Sequence, residues 1–184
     1  MKKLLALVII LFSMNSLFAQ NYIDSLIWLE AEPGQLLKTQ GDLTKGQPMS
    51  DLSWAWNSSV ACFPELQAEK FTGNHVLYAI DLPSYSNMEI SLVPANKKTD
   101  LSIYAYMVGK VSEDNLVPNL GRCVRCEVDH KSDRRYVGQS SNGNIRIVKD
   151  ILAIRNPYQV VIGVVGAKGL ATGAYTLNLK VNKR

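Results

Sequence analysis

The stretch NHVLYAIDL, Asn74 to Leu82, places Val76, Tyr78, Ile80 and Leu82 on one side and His75, Leu77, Ala79 and Asp81 on the other. A period of two marks a strand with one well-buried face. His75, at the start of this strand, reads as an outward-facing polar residue. Turn-forming PSYSN (Pro83 to Asn87) follows, and MEISLV from Met88 alternates again until Pro94. DLSIYAYMV, Asp100 to Val108, sets Leu101, Ile103, Ala105 and Met107 against Ser102, Tyr104 and Tyr106, a third strand.

Toward the C-terminus, NIRIV (Asn144 to Val148) predicts another strand, and Ile151 to Ile154 is a weaker candidate, as is Ser53 to Trp56. Asn156-Pro157 marks a turn. YQVVIGVV, Tyr158 to Val165, is apolar on both faces, as befits a central strand covered on each side. The glycine-punctuated run Gly166 to Gly173 leads into AYTLNLKV, with Tyr175, Leu177, Leu179 and Val181 facing inward. No segment beyond Ser50 carries a sustained 3.6-residue apolar stripe. Strands spaced in this way without helices between them predict an all-β, antiparallel sandwich. Residues 20–60 form an N-terminal extension of open structure: YIDSLIWLEAE suits a helical turn or an edge strand, and LLKTQGDLTKGQPMS a loop.

Residues 1–19, MKKLLALVIILFSMNSLFA, have the layout of a secretory signal peptide, with Lys2 and Lys3, an apolar run from Leu4 to Phe12, and Ala19. That run is well short of the ~20 residues that span a bilayer, so no membrane span is expected after signal removal. The predicted location is secreted or periplasmic. The formal net charge is +4, and Lys2 and Lys3 supply half of it. Such a balance argues against a nucleic-acid partner. Outside the cytosol thiols tend to pair, so Cys62, Cys123 and Cys126 are disulfide candidates. Three is odd: one thiol stays free, joins another chain, or lies buried.

The order of KFTGNHVLYAIDLP, MEISLVPANKKTDLSIYAY and NPYQVVIGVVGAKGLATGAYTLNLKV resembles the bacterial pre-peptidase C-terminal domain over roughly Cys62 to Val181. The matching points are Gly73 with Tyr78, Asp100 to Tyr104, Tyr158 to Gly163, and Gly173 to Leu177. The resemblance implies a jelly-roll-like β-sandwich over residues 61–182, and a noncatalytic accessory role in secretion, folding or attachment. Two departures matter. The residues before Cys62 are too few for a peptidase domain, and Ser102 breaks the Asp-x-Asp often seen in the family's third strand.

Several site readings compete. Cys123-Val-Arg-Cys126 lies in a loop between strands, not at a helix start in a βαβ setting, which disfavours thiol redox catalysis. Zinc would need Cys62 and His130 to complete four ligands, and an extracytoplasmic disulfide is the favoured reading. Glu127, Asp129 and Asp133 are candidate oxygen ligands for calcium, but Lys131, Arg134 and Arg135 compete for them and favour surface ion pairs. No cofactor is therefore expected, with calcium the candidate should one bind. GQSSNG, Gly138 to Gly143, lacks the spacing of a nucleophile elbow. Tyr104 and Tyr106 share a strand face that could present flat amphipathic surface to a ligand, and Trp54 and Trp56 read as packing residues.

The expected function is accordingly a noncatalytic secreted module binding a protein or polysaccharide, with no catalytic residues assigned. An envelope structural or assembly protein linked through the odd cysteine is the alternative, and an unrecognised secreted hydrolase a more distant one.

Overall fold

The computed structural model describes residues 22–132 and 144–184. Residues 1–21, Asp133, Arg134, Arg135 and the GQSSNG motif lie outside the described residues. Strands β1 (Ile27–Leu29), β2 (Leu36–Asp42), β3 (Gln47–Pro48), β4 (Asn74–Leu82), β5 (Ser86–Pro94), β6 (Leu101–Val108), β7 (Arg125–Asp129), β8 (Arg146–Ala153), β9 (Tyr158–Gly166) and β10 (Ala174–Lys183) build two packed sheets. One runs β1-β4-β9-β6-β7, with β3 also on β4; the other runs β2-β10-β5-β8. Every pairing is antiparallel except β1 on β4, which is parallel. The protein is an all-β sandwich.

The alternation predicted for β4, β5, β6 and β10 puts Val76, Tyr78, Ile80, Ile90, Leu92, Ile103, Tyr175, Leu177 and Leu179 into one core between the sheets. At about 25 cal/mol per Å² of apolar area removed from water, this layer is the main driving force of the fold. The N-terminal stretch supplies β1, β2 and β3, and the loop expected for LLKTQGDLTKGQPMS is corrected, since its first seven residues form β2. Short length and edge position explain its weak signal: Leu37 packs on the core while Leu36, Lys38 and Gln40 face solvent.

NIRIV and the weaker Ile151 candidate prove to be one strand, β8. Its pairing with β5 shifts between Met88 and Ile90, which face Ile151 and Val148, so β8 carries one extra residue. Asp150 absorbs that bulge at φ 65°. Ser53 to Trp56 is not a strand but a 3-10 turn. Asp51 explains the difference, because its carboxylate accepts the Ser53 amide at 2.8 Å and the Ser53 hydroxyl at 2.9 Å.

The β4-β9-β6 sheet is buried on both faces. Its outer side is roofed by Tyr22, Met49, Trp54, Val60, Phe63 and Phe71, with Leu116, Val117 and Leu120 from a second loop. This second core fulfils the two-faced apolar reading of β9. Among the described residues no helix is long and apolar enough to cross a membrane.

Candidate functional site

Tyr104 and Tyr106 lie under that roof, and both are fully buried. Their predicted outward, ligand-facing placement is therefore corrected: Trp54 crosses Tyr104 edge-on at 5.2 Å, and Tyr106 stacks beside Tyr104 at 6.4 Å. The Tyr106 hydroxyl donates to Asn115 O and accepts the Val117 amide, each at 3.2 Å. These rings are packing residues, as is Trp54.

His75 is corrected in the same way. It points into the roofed face and is 2% exposed. Its Nε2 lies 2.9 Å from Phe71 O and its Nδ1 3.2 Å from the Tyr104 hydroxyl. A carbonyl only accepts, so Nε2 carries the proton and Nδ1 accepts from Tyr104. Burial pushes the imidazole down to about 4, against the weaker upward pull of Phe71 O. A neutral, fully engaged imidazole away from solvent is not placed for acid-base chemistry on an outside substrate.

Among the three cysteines, Cys62 and Cys126 form the disulfide, with Cα atoms 4.9 Å apart. It ties the roof to β7. That bond consumes two thiolates of the four-ligand zinc reading, and among the described residues no cluster of three His, Cys, Asp or Glu could hold a metal. Cys123 is a free, half-buried thiol whose Sγ lies 3.7 Å from Val60 O. Burial pushes it up to about 11, so it is a poor nucleophile near neutrality.

The described carboxylates of the calcium reading have protein partners. Glu127 takes a fork from Arg125, with Nε and Nη2 each 2.6 Å from Oε1. Asp129 accepts the Ile147 amide at 2.7 Å, across to the other sheet. Nearby, Arg146 donates from Nε to Leu101 O at 2.8 Å. Together these contacts seal the β7/β8 side of the sandwich.

The sandwich offers a concavity elsewhere, at one end. Loops 95–100 and 167–174 enclose an open groove of about 890 Å³, with Asn96, Lys98, Thr99, Asp100, Lys168 and Thr172 on its walls. Its frame is held by backbone bonds: Ala95 to Ala174 O at 2.9 Å, Ala167 to Asp100 O at 3.0 Å, and Asn74 to Leu170 O at 3.1 Å. Asn74 Nδ2 also reaches Leu43 O, Gly46 O and Ala171 O. Gly73 is required here, because a Cβ would sit 2.2 Å from Leu170 O. Lys168 and Gly169 turn the loop at φ 53° and 76°. The glycine-rich spelling of 166–173 announces this turn, but nothing in it announces a groove. Asp100 faces Arg146 Nη2 at 3.7 Å, so the one carboxylate on the wall has a cation beside it.

No family model and no curated protein matches the chain. Among solved structures, PliG of Aeromonas hydrophila, a periplasmic inhibitor of g-type lysozyme, is 7% identical at a TM-score of 0.41 over 86% of this chain and 98% of that one. CorA of Methylomicrobium album BG8, a surface-associated copper-binding protein, is 13% identical at 0.45, over 87% and 99%. The pre-peptidase C-terminal domain of the Bacillus anthracis collagenase is 13% identical at 0.36, over 85% and 94%. The third belongs to the family whose motifs this sequence resembles. Identities and TM-scores at this level carry no argument about this chain, whose assignment as a sandwich rests on its own sheets.

Proposed function

We propose that the chain is a secreted, noncatalytic β-sandwich module that binds a protein or polysaccharide partner. The observation that carries this reading is the end groove: a wide concavity with lysines, amides and hydroxyls on backbone-pinned loops. Its carboxylate is beside Arg146, and the His75 imidazole lies in the roofed core. Such a surface suits contact through many weak polar bonds better than proton transfer. The signal-like leader and the disulfide support export. Glycan-array and pull-down measurements with the purified protein test it. Retention by one ligand class that is lost in Lys98→Glu/Lys168→Glu is the expected result, and background signal for both classes would end the proposal.

Cys123 favours a second reading, an envelope assembly protein whose half-buried thiol joins chains. Non-reducing electrophoresis decides it: a covalent dimer absent from Cys123→Ser supports this role, and monomer alone removes its basis.

A further inference from the structure

The two sides of the sandwich are finished differently. Where β7 meets β8, the Asp129 and Arg146 bonds close the gap between sheets. On the opposite side the terminal strands are β1 and β2, with Trp28 52% and Leu36 64% exposed, and Ile27, Leu29 and Leu37 only partly covered. β2 pairs with β10 along seven residues. One rung beyond, the Leu43 amide donates to Gly173 O, its direct partner, at 3.1 Å. Residues opposite one another in an antiparallel pair alternate between bonded and non-bonded rungs. Leu37, Thr39, Gly41 and Leu43 therefore spend their backbone groups on β10. Leu36, Lys38 and Gln40 direct theirs to the outer edge, as Asp42 does its amide, while Asp42 O closes the 3-10 turn Leu43–Lys45.

From this edge we infer that the chain self-associates by antiparallel pairing of β2 with β2 of a second copy. A two-fold axis at Gln40 puts Gln40 opposite Gln40 and Lys38 opposite Asp42 of the other strand, twice by symmetry. All three positions then lie on bonded rungs, so the outward amides and the Lys38 and Gln40 carbonyls pair while the β10 ladder stays intact. Lys38, Gln40 and Asp42 share the outer face of the sheet, where opposite charges across a rung attract and like charges repel. A two-fold at Lys38 would set lysine against lysine, so the charges select the register. The resulting dimer joins two four-stranded sheets into one along residues 38–42. An edge left open in this way is a template for another strand, and a symmetric mate satisfies it in a closed, finite assembly.

The experiment is sedimentation equilibrium of the purified protein and its variants, with circular dichroism to confirm folding. Gln40→Pro removes an outward amide that β10 does not use, and should give folded monomer. Lys38→Asp and Asp42→Lys each create two like-charge rungs and should weaken association about tenfold or more. Asp42 Oδ1 also accepts the Thr44 amide at 2.9 Å, a cap that D42K removes; the double swap K38D/D42K restores the charge pairs without restoring this cap and should recover the dimer, which a loss caused by the cap alone would not. Monomeric wild type at high concentration would overturn the inference. So would a dimer indifferent to Gln40→Pro, or one abolished by Cys123→Ser instead.

Discussion

Tyr78 on β4 and Tyr175 on β10 meet hydroxyl to hydroxyl, 2.9 Å apart, bridging the two sheets inside the core. They belong to the Gly73–Tyr78 and Gly173–Leu177 stretches that carry the family resemblance, so two distant motifs meet at one bond. Gly41 lies against both, because a Cβ there would sit 2.5 Å from the Tyr175 ring and the Tyr78 hydroxyl. Tyr78→Phe or Tyr175→Phe leaves one buried hydroxyl unpaired, a cost of about 1–3 kcal/mol. The double variant should cost less than the two singles together. Urea unfolding of all four proteins measures the coupling, and strict additivity would deny it.

Burial raises Tyr22 to about 12 and also raises Tyr78, Tyr104, Tyr106 and Tyr175 above the ordinary phenol value. A raised phenol supports the fold while it is protonated. Its contribution is whole below the unfolded value of about 10 and is lost as pH climbs beyond it. Stability should thus fall steeply above pH 10, with phenolate absorbance and loss of circular dichroism rising together. Ionisation of these five phenols in the intact fold would contradict this, whereas exposed Tyr85 is free to ionise before unfolding.

His75 works in the opposite direction. Its folded value of about 4 lies below the unfolded ~6.5, so the unfolded chain takes up a proton first as pH drops. Its stabilising share is complete above pH ~6.5 and disappears between there and about 4, on the order of 3 kcal/mol. His75→Phe should be less stable at neutral pH, because Phe71 O and the Tyr104 hydroxyl lose their partner, yet show a flatter acid slope. Urea midpoints across this pH range provide the check.

Gly163 faces Tyr104 across the β6/β9 pair, and a Cβ would fall 2.1 Å from the tyrosine ring. That ring is fixed by Trp54, Phe71 and His75. Gly163→Ala should lower stability by about 3 kcal/mol through overpacking, whereas Gly109→Ala, which meets nothing within 4 Å, should change it little. Thermal melts of the two variants give the comparison.

The Cys62–Cys126 bridge closes a sequence separation of 64. Its removal in Cys62→Ser/Cys126→Ser relaxes the unfolded chain and should cost roughly 4 kcal/mol. Native protein should carry one titratable thiol per chain, Cys123, and alkylate it slowly at neutral pH. Rapid labelling, or none after unfolding without reductant, would conflict with this arrangement.

Much of the sandwich was legible because its strands alternate: β4, β5, β6 and β10 each bury one residue in two against the facing sheet. What alternation could not reveal was the roof. Its parts, Trp54, Phe63 and Phe71, lie in irregular or 3-10 backbone with no period to detect. Tyr104, Tyr106 and His75 accordingly read as outward although they are inward on both counts. The signal was present in YQVVIGVV, whose two apolar faces required cover on both sides; β6 lies directly beside it and shares that cover. The cysteine pairing was not legible, since Cys123 and Cys126 are three residues apart and only backbone direction chooses between them. The end groove was hidden for a related reason: it is made by two loops that only the strand order brings together.

β10 begins at the rim of the groove with Ala174 and runs as ten paired residues to Lys183, where the Arg184 amide is still bonded to Tyr85 O at 2.7 Å. Arg184 is thus moored about 30 Å from the concavity, at the far end of the sandwich. An anchor or resin joined behind Arg184 would hold the molecule upright with its open mouth turned away from the support. One joined near Lys98 would press that mouth shut.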